Sequence, residues 1–167
     1  MFYDSPGLFQ KRPGRITLLL GGALVCIGLA TVSAHAQRKT AAAEADVQPA
    51  FTDFKGVRIG MPTEDARKKL GTPRDKGSDQ DFYVFNDTQA VQVFYAAGAV
   101  TAISIDYMDG ATGIPAAKDI LGTEADSRTD GSLYKLVRYP KAGYWVSYSR
   151  TAGNTPTTTI TMQKIGN

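Results

Sequence analysis

Residues 66–72, Ala-Arg-Lys-Lys-Leu-Gly-Thr, are echoed by residues 117–123, Ala-Lys-Asp-Ile-Leu-Gly-Thr, at an offset of 51 positions. Further along the chain, Ala97-Gly98 is echoed by Ala152-Gly153. The offset of this second echo is 55 positions. Similarity that recurs at a nearly constant spacing of this size is the sequence signature of a repeated structural unit. We therefore predict a duplicated unit, with one copy near residues 55–107 and a second near residues 110–165.

The first of these stretches carries the start and stop signals of a short helix. Pro62 stands at its start, acidic residues 64–65 lie near the positive end of the helix dipole, and basic residues 67–69 lie near the negative end. Gly71 is placed to end the helix. The second copy keeps this pattern in outline, with Pro115 near its start.

Each predicted helix is followed by three strand-like runs with turn residues between them. Val91 and Val93 alternate with less apolar neighbours, which predicts that they share one face of a strand. The connections at 96–98 and 152–154 suit hairpins and are too short for parallel crossovers, so the sheet is predicted to be antiparallel. The predicted strands are about 81–86, 90–95 and 99–107 in the first copy, and 132–139, 143–150 and 157–164 in the second.

The size of each copy decides how the two are expected to combine. A three-stranded layer and a two-turn helix bury little apolar surface alone. We therefore predict an α+β domain at residues 51–167, in which both copies form one antiparallel sheet with the two short helices packed on one face. Residues 37–50 are rich in alanine and polar residues and lack aromatics, which predicts a flexible tether.

Three segments of the first copy carry a family resemblance: residues 60–73, Gly-Met-Pro-Thr-Glu-Asp-Ala-Arg-Lys-Lys-Leu-Gly-Thr-Pro; residues 81–85, Asp-Phe-Tyr-Val-Phe; and residues 91–95, Val-Gln-Val-Phe-Tyr. They resemble the helix and early strands of the SmpA/OmlA (BamE) outer-membrane lipoprotein family, which implies a role in envelope assembly. They are equally similar to one half of the tandem-repeat β-lactamase inhibitory protein (BLIP) fold, in which two helix-plus-sheet units form a curved sheet that grips a partner protein. The chain departs from the lipoprotein family in its duplication and in the bulky Val25 before Cys26.

Residues 1–36 have the features of a signal peptide or membrane anchor. The uncharged stretch 16–37 follows three basic residues and contains the small-residue exit Ala34-His35-Ala36, which predicts cleavage after residue 36. The stretch also reaches the roughly 20 residues that a membrane-spanning helix needs, so an uncleaved anchor in the inner membrane stays open. Both alternatives place residues 51–167 in the periplasm or outside the cell.

Composition limits the chemistry available to the exported chain. Cys26 and His35, the one cysteine and the one histidine, both lie before the predicted cleavage position. A chain that begins at Gln37 therefore cannot build a nucleophile–histidine pair or a cysteine–histidine zinc site. The net charge of +3 falls almost to neutral without the leader, which argues against nucleic-acid binding. We predict no enzymatic activity, no cofactor and no metal.

Two groups of carboxylates are the candidates for other chemistry. Asp75, Asp79 and Asp81 cluster in a polar loop that offers oxygen ligands to calcium, although their spacing differs from that of known calcium loops. The favoured interpretation is a solvated loop. Asp106 and Asp109 form a candidate pair for a carboxylate-dependent hydrolase. Because a strand end followed by a glycine turn is the commoner use of such residues, this alternative is the less favoured one.

Aromatic residues on the face opposite the predicted core suggest a function. Rigid aromatic side chains on a sheet surface offer large contact areas at low entropic cost, and they commonly anchor protein partners. We therefore predict a non-enzymatic module that binds an envelope or secreted protein. The alternative is a membrane-tethered structural component of envelope assembly. Coverage of this face by the tether or a second subunit also stays open, as does the orientation of the first strand in each copy. The predicted partner-binding residues are Trp145, Phe94, Tyr83, Phe85, Tyr134, Arg138 and Arg150.

Overall fold

The computed structural model describes residues 48–166, which form a helix followed by four strands and then the same order of elements again. The predicted leader and most of the predicted tether lie outside these residues. No helix among residues 48–166 has the length and apolar character needed to cross a bilayer. The first set of elements comprises α1 (Thr63–Leu70), β1 (Asp75–Lys76), β2 (Gln80–Asn86), β3 (Gln89–Ala96) and β4 (Ala99–Tyr107).

The second set follows a loop and repeats the order of the first. Its elements are α2 (Ala117–Leu121), β5 (Asp126–Ser127), β6 (Leu133–Tyr139), β7 (Tyr144–Arg150) and β8 (Thr158–Lys164), with a short 3-10 turn at Pro140–Ala142. The six long strands agree with the prediction to within one residue at each end. The prediction of three strands per copy is wrong, because it misses β1 and β5, which are too short to show an alternating pattern.

All eight strands belong to one antiparallel sheet with the order β1-β2-β3-β4-β8-β7-β6-β5. The two sets of strands meet where the last strand of each set pairs with the other, so that Ile103 lies opposite Met162 and Ile105 lies opposite Ile160. The predicted α+β class with a single antiparallel sheet is confirmed.

Tight turns explain why consecutive strands pair with each other. Ala97 and Gly98 connect β3 to β4 with φ angles of 50° and 74°. Two consecutive positive φ angles are typical of the hairpin turn whose twist matches that of paired strands. Glycine adopts this conformation without steric cost, whereas the alanine before it is held there by the hairpin.

The hydrophobic core lies between one face of the sheet and both helices. Ala66 and Leu70 of α1, together with Ile120 and Leu121 of α2, belong to the same buried cluster as the inward-facing strand residues. Within residues 48–166, every buried side-chain nitrogen or oxygen atom has a hydrogen-bond partner. Buried residues at the centre of the four central strands include Val91, Val93, Ile103, Ile105, Val146, Tyr148, Ile160 and Met162.

We expect that Ile160→Ala lowers the free energy of unfolding by about 2–5 kcal/mol, because it removes buried methyl groups and leaves a cavity at the centre of the sheet. Ile114→Ala is the matched control, since Ile114 is 38% exposed, and we expect a change below about 0.5 kcal/mol. Urea denaturation followed by circular dichroism measures both. Equal losses in the two variants would contradict the described core.

Candidate functional site

The face of the sheet opposite the helices, here called the open face, has its side chains in register across the strands. Phe94 lies opposite Ala102, Ala102 opposite Gln163, Gln163 opposite Trp145, and Trp145 opposite Arg138. Phe94 and Trp145 are therefore three strands apart, a distance of about 14 Å. The structure brings Phe94, Trp145 and Arg138 into one row across the open face. The sequence predicts the outward orientation of Phe94 and Trp145.

Small and uncharged side chains form the floor between Phe94 and Trp145. Ser104 and Thr161 lie on the two central strands, and their hydroxyl oxygens are 3.2 Å apart in a hydrogen bond. The hydroxyl of Thr159 donates a 2.7 Å hydrogen bond to Asp106 beside them. A shallow hollow of about 510 Å³ lies over this floor on the Phe94 side. Residues that line the hollow include Gln92, Phe94, Thr101, Ser104, Thr161 and Gln163.

Large apolar side chains are exposed on the outer strands of the open face. Val84 on β2 is 43% exposed, and Tyr134 and Leu136 on β6 are 38% and 37% exposed. Tyr134 is paired with Ser149, and Leu136 with Ser147, which places both on the same face as Trp145. The sequence leaves the orientation of this strand open, and the structure places Tyr134 on the open face. The predicted set of binding residues omits Val84.

The structure places Tyr83 and Phe85 on the core side of the sheet, and so corrects their inclusion among the residues of the open face. Tyr83 is paired with the core residue Val91 and is only 2% exposed. Phe85 stacks on Tyr83 with 6.2 Å between ring centroids and meets Phe54 edge to face at 5.9 Å. Both rings therefore lie on the helix side of the sheet, where Tyr83 belongs to the core and Phe85 packs against it. Strand β2 is apolar on both faces, so alternation alone does not show which face is covered.

Arg150 also departs from the predicted arrangement. It is paired with Leu133 and Thr158 at the end of β7, one position beyond the last residue that faces outward. Its exposed side chain lines a second hollow with Tyr134 at this end of the sheet, away from the row of Phe94 and Trp145.

Asp81 contradicts the prediction of a fully solvated loop. Its side chain is fully buried and accepts hydrogen bonds from Arg67 Nε at 2.8 Å and Arg67 Nη2 at 3.0 Å. The hydroxyl of Tyr95 donates to the same carboxylate at 2.9 Å, and the N–H of Gly77 donates at 3.2 Å. Arg67 also donates to the carbonyl of Gly77 at 2.8 Å. This cluster, here called the Asp81 cluster, connects α1, the loop before β2, and strands β2 and β3.

Electrostatics keep the Asp81 cluster charged. Burial alone would raise the pKa of Asp81, but the hydrogen bonds from Arg67, Tyr95 and Gly77 outweigh it and hold that pKa below the usual value. The hydrogen bond to Asp81 is the main reason that the pKa of Arg67 is raised. Burial, and then the bond to Asp81, raise the pKa of the Tyr95 hydroxyl. Asp81 and Arg67 therefore both stay ionised, and their opposite charges compensate each other. We assign this cluster a structural role.

The other carboxylates of the predicted candidates lie apart from this pair. Asp75 and Asp79 are exposed, and Asp81 faces the core. No group of three or more acidic, histidine or cysteine side chains among residues 48–166 is placed to hold a metal ion. Asp106 lies on the open face and accepts the bond from Thr159, whereas Asp109 is exposed beyond the end of β4.

The open face presents groups that can make apolar contacts and hydrogen bonds. Aromatic rings, hydroxyl groups and the amides of Gln92 and Gln163 are available on it, and its charged residues include Asp106 and Arg138. Comparison with known proteins adds no family, since no protein-family model, curated protein or solved structure matches this chain.

We expect that Asp81→Asn destabilises the protein by about 3–5 kcal/mol, because it leaves the Arg67 guanidinium, only 15% exposed, with the solvent-exposed Glu64 as its remaining carboxylate partner. Asp126→Asn is the matched control. Asp126 is 75% exposed and forms a 3.0 Å pair with Lys135, so its loss is expected to cost less than about 1 kcal/mol. Urea denaturation at neutral pH compares them, and similar losses in both variants would contradict the structural role of the Asp81 cluster.

The acid stability of the protein is expected to depend on Asp81. A carboxylate whose folded pKa is lowered contributes stability above its unfolded pKa of about 3.9, and this contribution is lost as the pH falls through the lower folded value. The free energy of unfolding should therefore fall more steeply below pH ~4 in the wild type than in Asp81→Asn. Urea titrations at several pH values between about 6 and 2 measure the two slopes. Parallel curves would show that Asp81 does not have a lowered pKa.

Proposed function

We propose that this chain is an exported, non-enzymatic binding module, and that its open face holds another envelope or secreted protein. The observation that carries the proposal is a sheet face that no helix within residues 48–166 covers, on which Phe94 and Trp145 lie on either side of a floor of small residues. Three further apolar side chains on this face, Val84, Tyr134 and Leu136, are more than one-third exposed.

The composition of the open face suits contact with a protein. Trp145 and Phe94 are half-buried, so each ring is held by its neighbours and still presents surface to a partner. Aromatic residues fixed in this way lose little conformational freedom on binding and frequently dominate interface energetics. The hydroxyl and amide groups between them supply hydrogen bonds without the desolvation cost of buried charges. Arg138 continues the row beyond Trp145 and supplies a cation at the rim.

The repeated order of elements supports a common origin for the two halves. Each half consists of a helix and four strands, and the halves join through their last strands. We propose that the chain arose by duplication and shares the tandem-repeat arrangement of the BLIP fold, with the single-repeat SmpA/OmlA family as a more distant likeness. Both resemblances favour a role in binding proteins at the cell envelope. The basic and apolar pattern of residues 1–36 supports export.

Photo-crosslinking in cells tests the proposed function. A photoreactive amino acid at Gln163, between Phe94 and Trp145, is expected to form adducts with one partner protein. The same amino acid at Lys118, exposed on α2 at the opposite side of the sheet, is the control and is expected to form none. With the partner identified by mass spectrometry, Trp145→Ala should weaken its binding about 30-fold or more, as expected for a central aromatic anchor.

Lys118→Ala serves as the matched control in the binding assay and should leave the affinity unchanged. Crosslinking from position 118 with none from 163 would contradict the proposed face. Unchanged affinity in both Trp145→Ala and Phe94→Ala would have the same consequence.

A further inference from the structure

The second hollow, at the start of strand β6 and the end of strand β7, concentrates positively charged groups. It has a volume of about 260 Å³ and lies where the turn after β5 approaches the end of β7. Arg128 and Arg150 both line it, and neither forms an ion pair with a carboxylate among residues 48–166. The hollow therefore offers two guanidinium groups to a ligand. Its lining includes Arg128, Ser132, Tyr134, Ser149, Arg150 and Thr151.

Tyr134 orients one of these guanidinium groups. The central carbon of the Arg128 guanidinium lies 4.9 Å from the centroid of the Tyr134 ring. This cation–π contact is made with the face of the tyrosine ring, and the planar guanidinium has five N–H donors in all. A planar group with several donors in a fixed arrangement is well matched to the two oxygens of a carboxylate.

The neutral and acidic groups of the hollow are consistent with an anionic ligand. Asp130 Oδ1 accepts the N–H of Ser132 at 2.9 Å and the Ser132 hydroxyl at 2.7 Å, and these bonds, followed by the nearby charge of Arg128, hold the pKa of Asp130 below its usual value. Thr151 Oγ1 accepts the N–H of Thr157 at 2.8 Å, which leaves the Thr151 hydroxyl proton free to donate. The lining of the hollow contains two guanidinium groups and one carboxylate, so its net charge is positive.

We propose that this hollow binds a carboxylate group of the partner protein, from an acidic side chain or a chain terminus, through Arg128 and Arg150. The proposal rests on the proposed function, because it assigns a carboxylate to the part of the partner protein that lies near the start of β6. Tyr134 links the two regions, since it belongs to the open face and lines the hollow.

Three small probes test the inference on the full-length protein by nuclear magnetic resonance titration. N-acetyl-glutamate amide carries only a side-chain carboxylate, N-acetyl-glutamine carries only a terminal carboxylate, and N-acetyl-glutamine amide carries neither. We expect saturable shifts of the residues lining the hollow with at least one of the first two probes and none with the third. The probe that binds more tightly identifies the source of the carboxylate.

Arginine variants give the second arm of the test. Arg128→Gln and Arg150→Gln are each expected to weaken binding of the charged probe about fivefold, because each removes charge-assisted hydrogen bonds. Arg74→Gln, at an exposed arginine of the first half of the domain, should leave binding unchanged. Absence of binding by both charged probes, equal binding of all three, or equal affinity in the three variants would overturn the proposal. Trp145 does not line the hollow. If the hollow binds no carboxylate, loss of partner binding in Trp145→Ala would therefore still support the proposed function.

Discussion

The pairing of β4 with β8 is the contact on which the whole arrangement depends. Each half alone offers a helix and a narrow layer of strands, which bury too little apolar surface for independent stability. Joining the halves through their last strands places Ile103, Ile105, Ile160 and Met162 at the centre of one core. The same junction places Ser104 and Thr161 side by side on the opposite face. The best-packed part of the domain and the centre of its candidate interface are therefore two sides of the same pair of strands.

Much of this arrangement is visible in the sequence. The echo of residues 66–72 in 117–123 and the glycines after both helices predict the repeated order of elements, because caps and turns are decided by neighbouring residues. Alternation in β3, β4, β7 and β8 also predicts which side chains face the helices. Phe94 and Trp145 follow directly, since their inward neighbours are strongly apolar.

The features that the sequence does not reveal depend on contacts between distant residues. Asp81 looks like a loop residue until Arg67 and Tyr95 are brought to it by the fold. Strand β2 is apolar on both faces, so only its pairing with β3 shows that Tyr83 is covered and Val84 is exposed. Arg128 is one of several isolated basic residues in the sequence, and its stacking on Tyr134 follows from the turn that joins β5 to β6.

The ends of the sheet have a consequence for self-association. Strands β1 and β5 are two residues long, and the pairing of β2 with β3 shifts register between Val84 and Asn86. Short outer strands and bulges are devices by which natural sheets discourage other chains from extending them. A concentrated solution of this protein should therefore resist fibre formation, even though it displays apolar side chains on an exposed sheet surface.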